Sequence, residues 1–131
     1  MNTKKVLIVE DEMDMRIFIQ TLLETNGYKP IVATNGEEGR NKAKSETPDL
    51  ILLDVMMPKE GGVQLYRELK TDSALAGIPV VIISAISKKT FFHSQKMLDS
   101  ARGQSLPAPE GYIEKPPEAE DLLAEIARVL S

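Results

Sequence analysis

Four apolar runs in this chain end in side chains able to do chemistry. Val6–Val9 meets Glu10 and Asp11, Leu50–Leu53 meets Asp54, the run closing at Ile83 meets Ser84, and Tyr112–Ile113 meets Glu114 and Lys115. A carboxylate ending a buried strand is costly to desolvate unless something pairs with it. One such residue could be a solvated cap, but four in concert point to a site. Glu10, Asp11 and Asp54, brought together, repel one another, so either a proton binds or a cation sits among them. An all-oxygen site with room for water suits Mg²⁺. A carboxylate can also act as a nucleophile and form an aspartyl phosphate. Lys115 would then balance the phosphoryl charge, Ser84 would donate a hydrogen bond to a phosphoryl oxygen, and Ala85 would leave space for the incoming group. Positioning and charge neutralisation of this kind do most of the catalysis in phosphoryl transfer.

These residues converge only if the elements behind them are arranged to bring them together. Val6–Val9 reads as a buried, β-branched strand. Met15, Phe18, Ile19, Leu22 and Leu23 then follow the spacing of a helix burying one stripe, stopped by Asn26–Gly27. Pro30–Ala33 predicts a second strand. Asn35 can cap a helix whose first turn carries Glu37 and Glu38, a polar helix expected on the surface with Ala43 among its few apolar residues. The third strand is Leu50–Leu53, too short an apolar run for a helix and of the kind buried on both faces. A third helix starts near Gly62 with Leu65, Tyr66 and Leu69. After a loop from Thr71 to Gly77, Ile78–Ile83 is the strongest strand signal in the chain. Lys88 to about Ala101 reads as a helix containing Phe91, Phe92, Met97 and Leu98; the two adjacent phenylalanines cannot both face the core. Gly103–Gly111 is a loop by composition. Tyr112–Ile113 makes a brief fifth strand, and a last helix carries Ala119, Leu122, Leu123, Ile126, Ala127 and Leu130 on one stripe, with the prolines before it expected to open its first turn.

Strand and helix thus alternate five times. Alternation predicts an α/β fold with a parallel sheet, helices on both faces and right-handed crossovers. For five strands the leading architecture is a flavodoxin-like (βα)5 three-layer sandwich of strand order 2-1-3-4-5. In that order strands one and three are neighbours, and ligands bind at such switch points outside the carboxyl ends of the strands.

Composition narrows the function. A chain of 131 residues with 42% hydrophobic and 27% charged residues is expected to form a single domain, residues 1–131, with no output domain attached. The net charge of −4 argues against direct nucleic-acid binding by general electrostatics. The absence of cysteine excludes thiolate metal sites and disulfides, and a lone histidine excludes multi-histidine sites. The apolar run behind Lys4–Lys5 is too short for a signal peptide and nothing reaches transmembrane length, so no membrane insertion and a cytoplasmic location are expected. His93 reads as a surface residue, and Glu12 and Asp14 as first-turn helix residues favoured by the dipole.

Glu10–Asp11, Asp54-Val-Met-Met-Pro58 with Gly61–Gly62, Ser84–Ala85 and Lys115–Pro116, in this order and over nearly the whole chain, resemble the receiver domain of bacterial response regulators, the CheY-like superfamily. The resemblance implies Asp54 as phosphoacceptor, with Mg²⁺ on Glu10, Asp11, Asp54 and the backbone carbonyl of Met56. It implies Ser84 as the switch hydroxyl, Lys115 as the phosphate-binding lysine, Tyr112 as the switch aromatic that turns inward on phosphorylation, and a Lys115–Pro116 bond that is commonly cis. It also implies a sensor histidine kinase or phosphotransfer protein as phosphoryl donor and an effector protein downstream. Such a domain is not an enzyme acting on an external substrate, since it catalyses only its own phosphorylation and dephosphorylation. Two departures stand out: the Ser84–Lys115 stretch is longer than usual, and Pro117 stands where an aromatic commonly follows Lys-Pro. The helix-four side leaves room for a phosphorylation-dependent homodimer. Two rival readings are a receiver-like interaction module that signals without phosphate, and an aspartyl-phosphate enzyme. The enzyme reading is disfavoured because Met56 stands where a second acid is usual and the chain has no room for a cap domain.

Overall fold

The computed structural model describes residues 3–55, 61–102 and 106–131. Five strands, β1 (Lys5–Val9), β2 (Lys29–Ala33), β3 (Leu50–Asp54), β4 (Val80–Ser84) and β5 (Gly111–Glu114), alternate with α1 (Met13–Thr25), α2 (Gly36–Glu46), α3 (Gly61–Thr71), α4 (Lys88–Arg102) and α5 (Ala119–Leu130). The strands form one parallel sheet in the order β2-β1-β3-β4-β5. This is the expected three-layer arrangement. On one face Leu7, Val9, Ile51, Leu53 and Ile82 pack with Ala43 of α2, Leu65, Tyr66 and Leu69 of α3, and Phe91 of α4. On the other, Val6, Ile8, Leu50, Leu52 and Ile83 meet Ile19 and Leu23 of α1 and Leu122 and Ile126 of α5. The alternate strand residues divide between the two faces because strand side chains alternate, and helices cover both, so the runs are apolar throughout.

Several expectations needed adjustment. In α1 Phe18 is 39% exposed, while Ile19 and Leu23 are buried. The helix docks by a narrower stripe than its apolar spacing implied. α2 buries Gly39 and Ala43 against the core, so this helix is more than a surface decoration; Asn35 caps it as expected, accepting from the Glu38 amide at 2.8 Å. Strand β4 begins at Val80; the Ile78 amide still closes the preceding turn on the Leu75 carbonyl, while the Pro79 carbonyl already accepts from the Ile51 amide of β3. Pro116 and Pro117 lie before Glu118, the N-cap of α5, so they precede the helix rather than open it. Phe91 is buried and Phe92 half-buried, which satisfies the constraint on adjacent helical positions. The side chains of Met97 and Leu98, residues 103–105 of the loop and residues 56–60 lie outside what is described, Met56 and its carbonyl among them.

Gly62 has a specific reason. A Cβ there would stand 2.2 Å from the Asp54 carbonyl oxygen and 2.4 Å from the Val55 Cα. The first turn of α3 therefore packs directly on the backbone at the end of β3, a close approach that only glycine permits.

Candidate functional site

The sheet register sets the site. Val9 lies beside Leu53, so Glu10 and Asp54 follow at the carboxyl ends of neighbouring strands; Asp54 lies beside Ile83, and Ser84 beside Glu114, so Ser84 and Lys115 arrive at the same end. The Lys115 amide donates to the Ser84 carbonyl at 2.8 Å, tying the last two together. The Lys115–Pro116 bond is cis.

Glu10, Asp54 and Ser84 are buried, at 2%, 4% and 0% exposure, whereas Asp11 is open to solvent. One carboxylate oxygen from each of Glu10, Asp11 and Asp54 lies within 4.8 Å of the others. The Lys115 ammonium stands between two of them, 2.8 Å from Glu10 Oε1 and 3.3 Å from Asp54 Oδ2. Glu10 Oε1 is buried, with the Lys115 ammonium as its ion-pair partner. Glu10 Oε2 accepts from the Glu12 amide at 3.2 Å.

The electrostatics follow from this crowding. Burial pushes the Glu10 carboxyl up to about 7, and the adjacent Asp54 pushes the same way, against the pull of Lys115. Burial alone would lower the Lys115 ammonium, but Glu10 and Asp54 beside it outweigh that and raise it. One lysine cannot neutralise three acids. The hard, all-carboxylate donor set, three acids to one lysine, fits a divalent cation such as Mg²⁺.

A second chain of contacts leads away from the acids. Ser84 Oγ accepts from the Ile86 amide at 3.1 Å, and the Tyr112 hydroxyl donates to the Ile86 carbonyl at 2.6 Å. The Tyr112 ring is already inward, 8% exposed, with its centroid 5.4 Å from that of Phe91 and 6.1 Å from that of Phe92. The sequence-based expectation is that phosphorylation shifts a pre-existing equilibrium toward an inward ring, and the ring is inward here. Burial raises the Tyr112 hydroxyl above its ordinary value, with Ser84 opposing and Glu114 adding to the shift. Glu114 also accepts from the Lys88 amide at 2.9 Å, satisfying a free donor at the start of α4.

Sequence reasoning missed two groups around the site. Arg16 reaches back from α1, its Nη1 donating to the carbonyls of Glu10 at 3.1 Å and Asp11 at 3.4 Å. The signal was a cation in the first turn of a helix, where acids are favoured. The other is a clamp on the segment before β5. Tyr66 donates to the Pro107 carbonyl, Lys70 pairs with Glu110, and Arg128 donates to the Glu110 carbonyl. Polar residues so far apart in sequence carry no local signal of their pairing.

The comparisons with known proteins bear on the family and the fold. The description "Response regulator receiver domain" matches residues 6–127. The chain is 35% identical over 127 residues to the phosphate regulon transcriptional regulatory protein PhoB of Escherichia coli, covering 97% of this chain and 52% of that protein. It is 33% identical to the alkaline phosphatase synthesis transcriptional regulatory protein PhoP of Bacillus subtilis, covering 97% of this chain and 48% of that one. The chain thus spans about half the length of these relatives. Among solved structures, the chemotaxis response regulator CheY4 of Vibrio cholerae superposes with a TM-score of 0.83 at 26% identity, covering 98% of this chain and 100% of that one. The signal receiver domain of a signal transduction histidine kinase from Syntrophus aciditrophicus gives 0.79 at 29% identity, covering 98% and 90%.

Proposed function

We propose, from the premise that this chain belongs to the response regulator receiver domain family of two-component signalling, that Asp54 accepts a phosphoryl group from a sensor histidine kinase or a phosphotransfer protein. One observation carries the reading: the Glu10, Asp11 and Asp54 carboxylates meet within 4.8 Å beside the Lys115 ammonium. An Asp54 carboxylate oxygen would attack the phosphorus of a phosphohistidine. The phosphorus–nitrogen bond breaks, and its electron pair returns to the imidazole. Lys115, already 3.3 Å from Asp54, meets the charge that arrives. Ser84 turns its hydroxyl to donate to a phosphoryl oxygen. Mg²⁺, held by Glu10, Asp11, Asp54 and the Met56 carbonyl, would neutralise charge that carboxylate and phosphoryl oxygens otherwise bring into repulsion.

The readout runs from Ser84 through residue 86 to Tyr112. Movement of Ser84 toward a phosphoryl group perturbs the Ile86 segment on which the Tyr112 hydroxyl rests. Because the ring is already inward, phosphorylation stabilises this arrangement within a pre-existing equilibrium and does not create it. The affected surface, around α4 and β5, would meet an effector protein or a second copy of the chain. We assign no turnover of an external substrate, no direct nucleic-acid contact by this domain, and a cytoplasmic setting. Among the described residues no helix is long and apolar enough to cross a membrane.

The test is intact-mass spectrometry after incubation with Mg²⁺ and acetyl phosphate. The wild-type chain should gain one phosphoryl group, and Asp54→Asn none. Equal gain in Asp54→Asn, or no gain in the wild type, would overturn the reading.

A further inference from the structure

The structure assigns Arg16 as a positioning residue for the acidic site: it holds the turn that aims Asp11. This inference rests on the functional reading above. Within the acidic group Glu10 and Asp54 are fixed from several sides. Glu10 has Lys115 on one oxygen and the Glu12 amide on the other, and Asp54 has Lys115. Asp11 differs. It is exposed, and among the described residues its carboxylate has no hydrogen bond or ion pair. Its direction is therefore set by the backbone of the Glu10–Glu12 turn alone.

That turn needs external support. The last sheet bond on the β1 side is the Glu10 amide donating to the Ala33 carbonyl at 3.0 Å, and α1 begins at Met13 with Glu12 as an N-cap that makes no side-chain cap bond. The carbonyls of Glu10 and Asp11 lie between the two elements. Arg16 Nη1 takes both, at 3.1 and 3.4 Å, so one guanidinium orients two successive peptide planes on either side of the Asp11 Cα. The arginine stands in the first turn of α1, where the helix dipole disfavours a cation. Among the described residues it forms no ion pair with a carboxylate, so its guanidinium is directed to backbone oxygens. Both contacts come from Nη1 of a planar guanidinium whose N–H directions are fixed, whereas the three donors of a lysine ammonium rotate freely. Partners that orient metal-binding residues from behind commonly change affinity by about 10–100-fold when removed.

The test uses the full chain with Arg16→Ala and Arg16→Lys. Mg²⁺ affinity is read from amide NMR titration, and the melting temperature is read without Mg²⁺. Arg16→Ala should weaken Mg²⁺ binding about tenfold, speed hydrogen exchange at the Glu12 amide and leave the Mg²⁺-free melting temperature close to that of the wild type. Arg16→Lys should restore part of the affinity. Wild-type affinity in Arg16→Ala, or a loss matched by a collapse in melting temperature, would overturn the assignment. Failure of the wild-type chain itself to bind Mg²⁺ would instead remove the functional reading and the role of Arg16 with it.

Discussion

Glu10 is the residue at which the site opposes the fold. Its carboxyl titrates near 7 in the folded chain against 4.5 when unperturbed, because burial and Asp54 disfavour its charge. A raised carboxyl contributes stability below its unfolded value, and that contribution is lost as pH rises through about 7. Without Mg²⁺ the wild-type chain should therefore lose stability between pH 5 and pH 7.5 more steeply than Glu10→Gln. The variant should melt higher at pH 7.5 by about 5 °C. Thermal melts of both proteins at the two pH values check this, and parallel pH profiles would contradict it. The same substitution should abolish tight Mg²⁺ binding, which separates the gain in stability from the loss of function. At this scale the sequence was informative. Glu10, Asp11, Asp54, Ser84 and Lys115 each end an apolar run, and burial of the run dictates where the polar residue emerges. Arg16 was legible only as an unusual cation in the first turn of α1; its partners are backbone carbonyls that no residue type announces. The inward Tyr112 was not legible, since its ring position depends on Phe91 and Phe92 across the α4–β5 contact.

Among the described glycines, Gly62 of α3 makes the closest approach to another element's backbone, at the end of β3. A methyl group on Gly62 would meet backbone atoms at 2.2 and 2.4 Å, and backbone cannot rotate away as a side-chain tip can. Gly62→Ala should push α3 from the end of β3, cost about 1–3 kcal/mol or more and slow phosphorylation by displacing Asp54. Gly77, with nothing within 4 Å of its prospective Cβ, supplies the control, and Gly77→Ala should change stability little. Denaturant midpoints for the two variants decide the matter, and equal effects would show that the close approach is not limiting. Element types were readable because strands buried on both faces give continuous apolar runs and helices give a stripe. Their finer placement was not. Phe18 fits the α1 stripe by spacing yet faces partly outward, because Ile19 and Leu23 take the positions against the sheet. Ile78 looks like strand, but its amide closes a turn on the Leu75 carbonyl at 3.0 Å before β4 starts.

Over the whole molecule, the parallel register gathers the acids, Ser84 and Lys115 at one end of the sheet, and the proposed readout would run outward through the segments beyond β4. The approach to β5 is anchored on two sides. Glu110 uses its carboxylate on Lys70 of α3 and its carbonyl on Arg128 of α5. Tyr66 holds the Pro107 carbonyl. Polar residues from three separated stretches make this clamp, so it follows from the assembled fold and not from any local pattern. A fixed β5 start beside a long α4 favours a response concentrated in the 84–93 region and Tyr112 over a shift of the entire sheet. The most direct measurement is a two-dimensional amide spectrum with Mg²⁺, recorded before and after beryllofluoride, a mimic of the aspartyl phosphate. Shifts at Asp54, Ser84, Ile86, Lys115 and Tyr112, with Val6–Ile8 of the sheet interior unmoved, are the predicted result. An unchanged spectrum with Mg²⁺ present would contradict the account and leave a receiver fold that signals without phosphate.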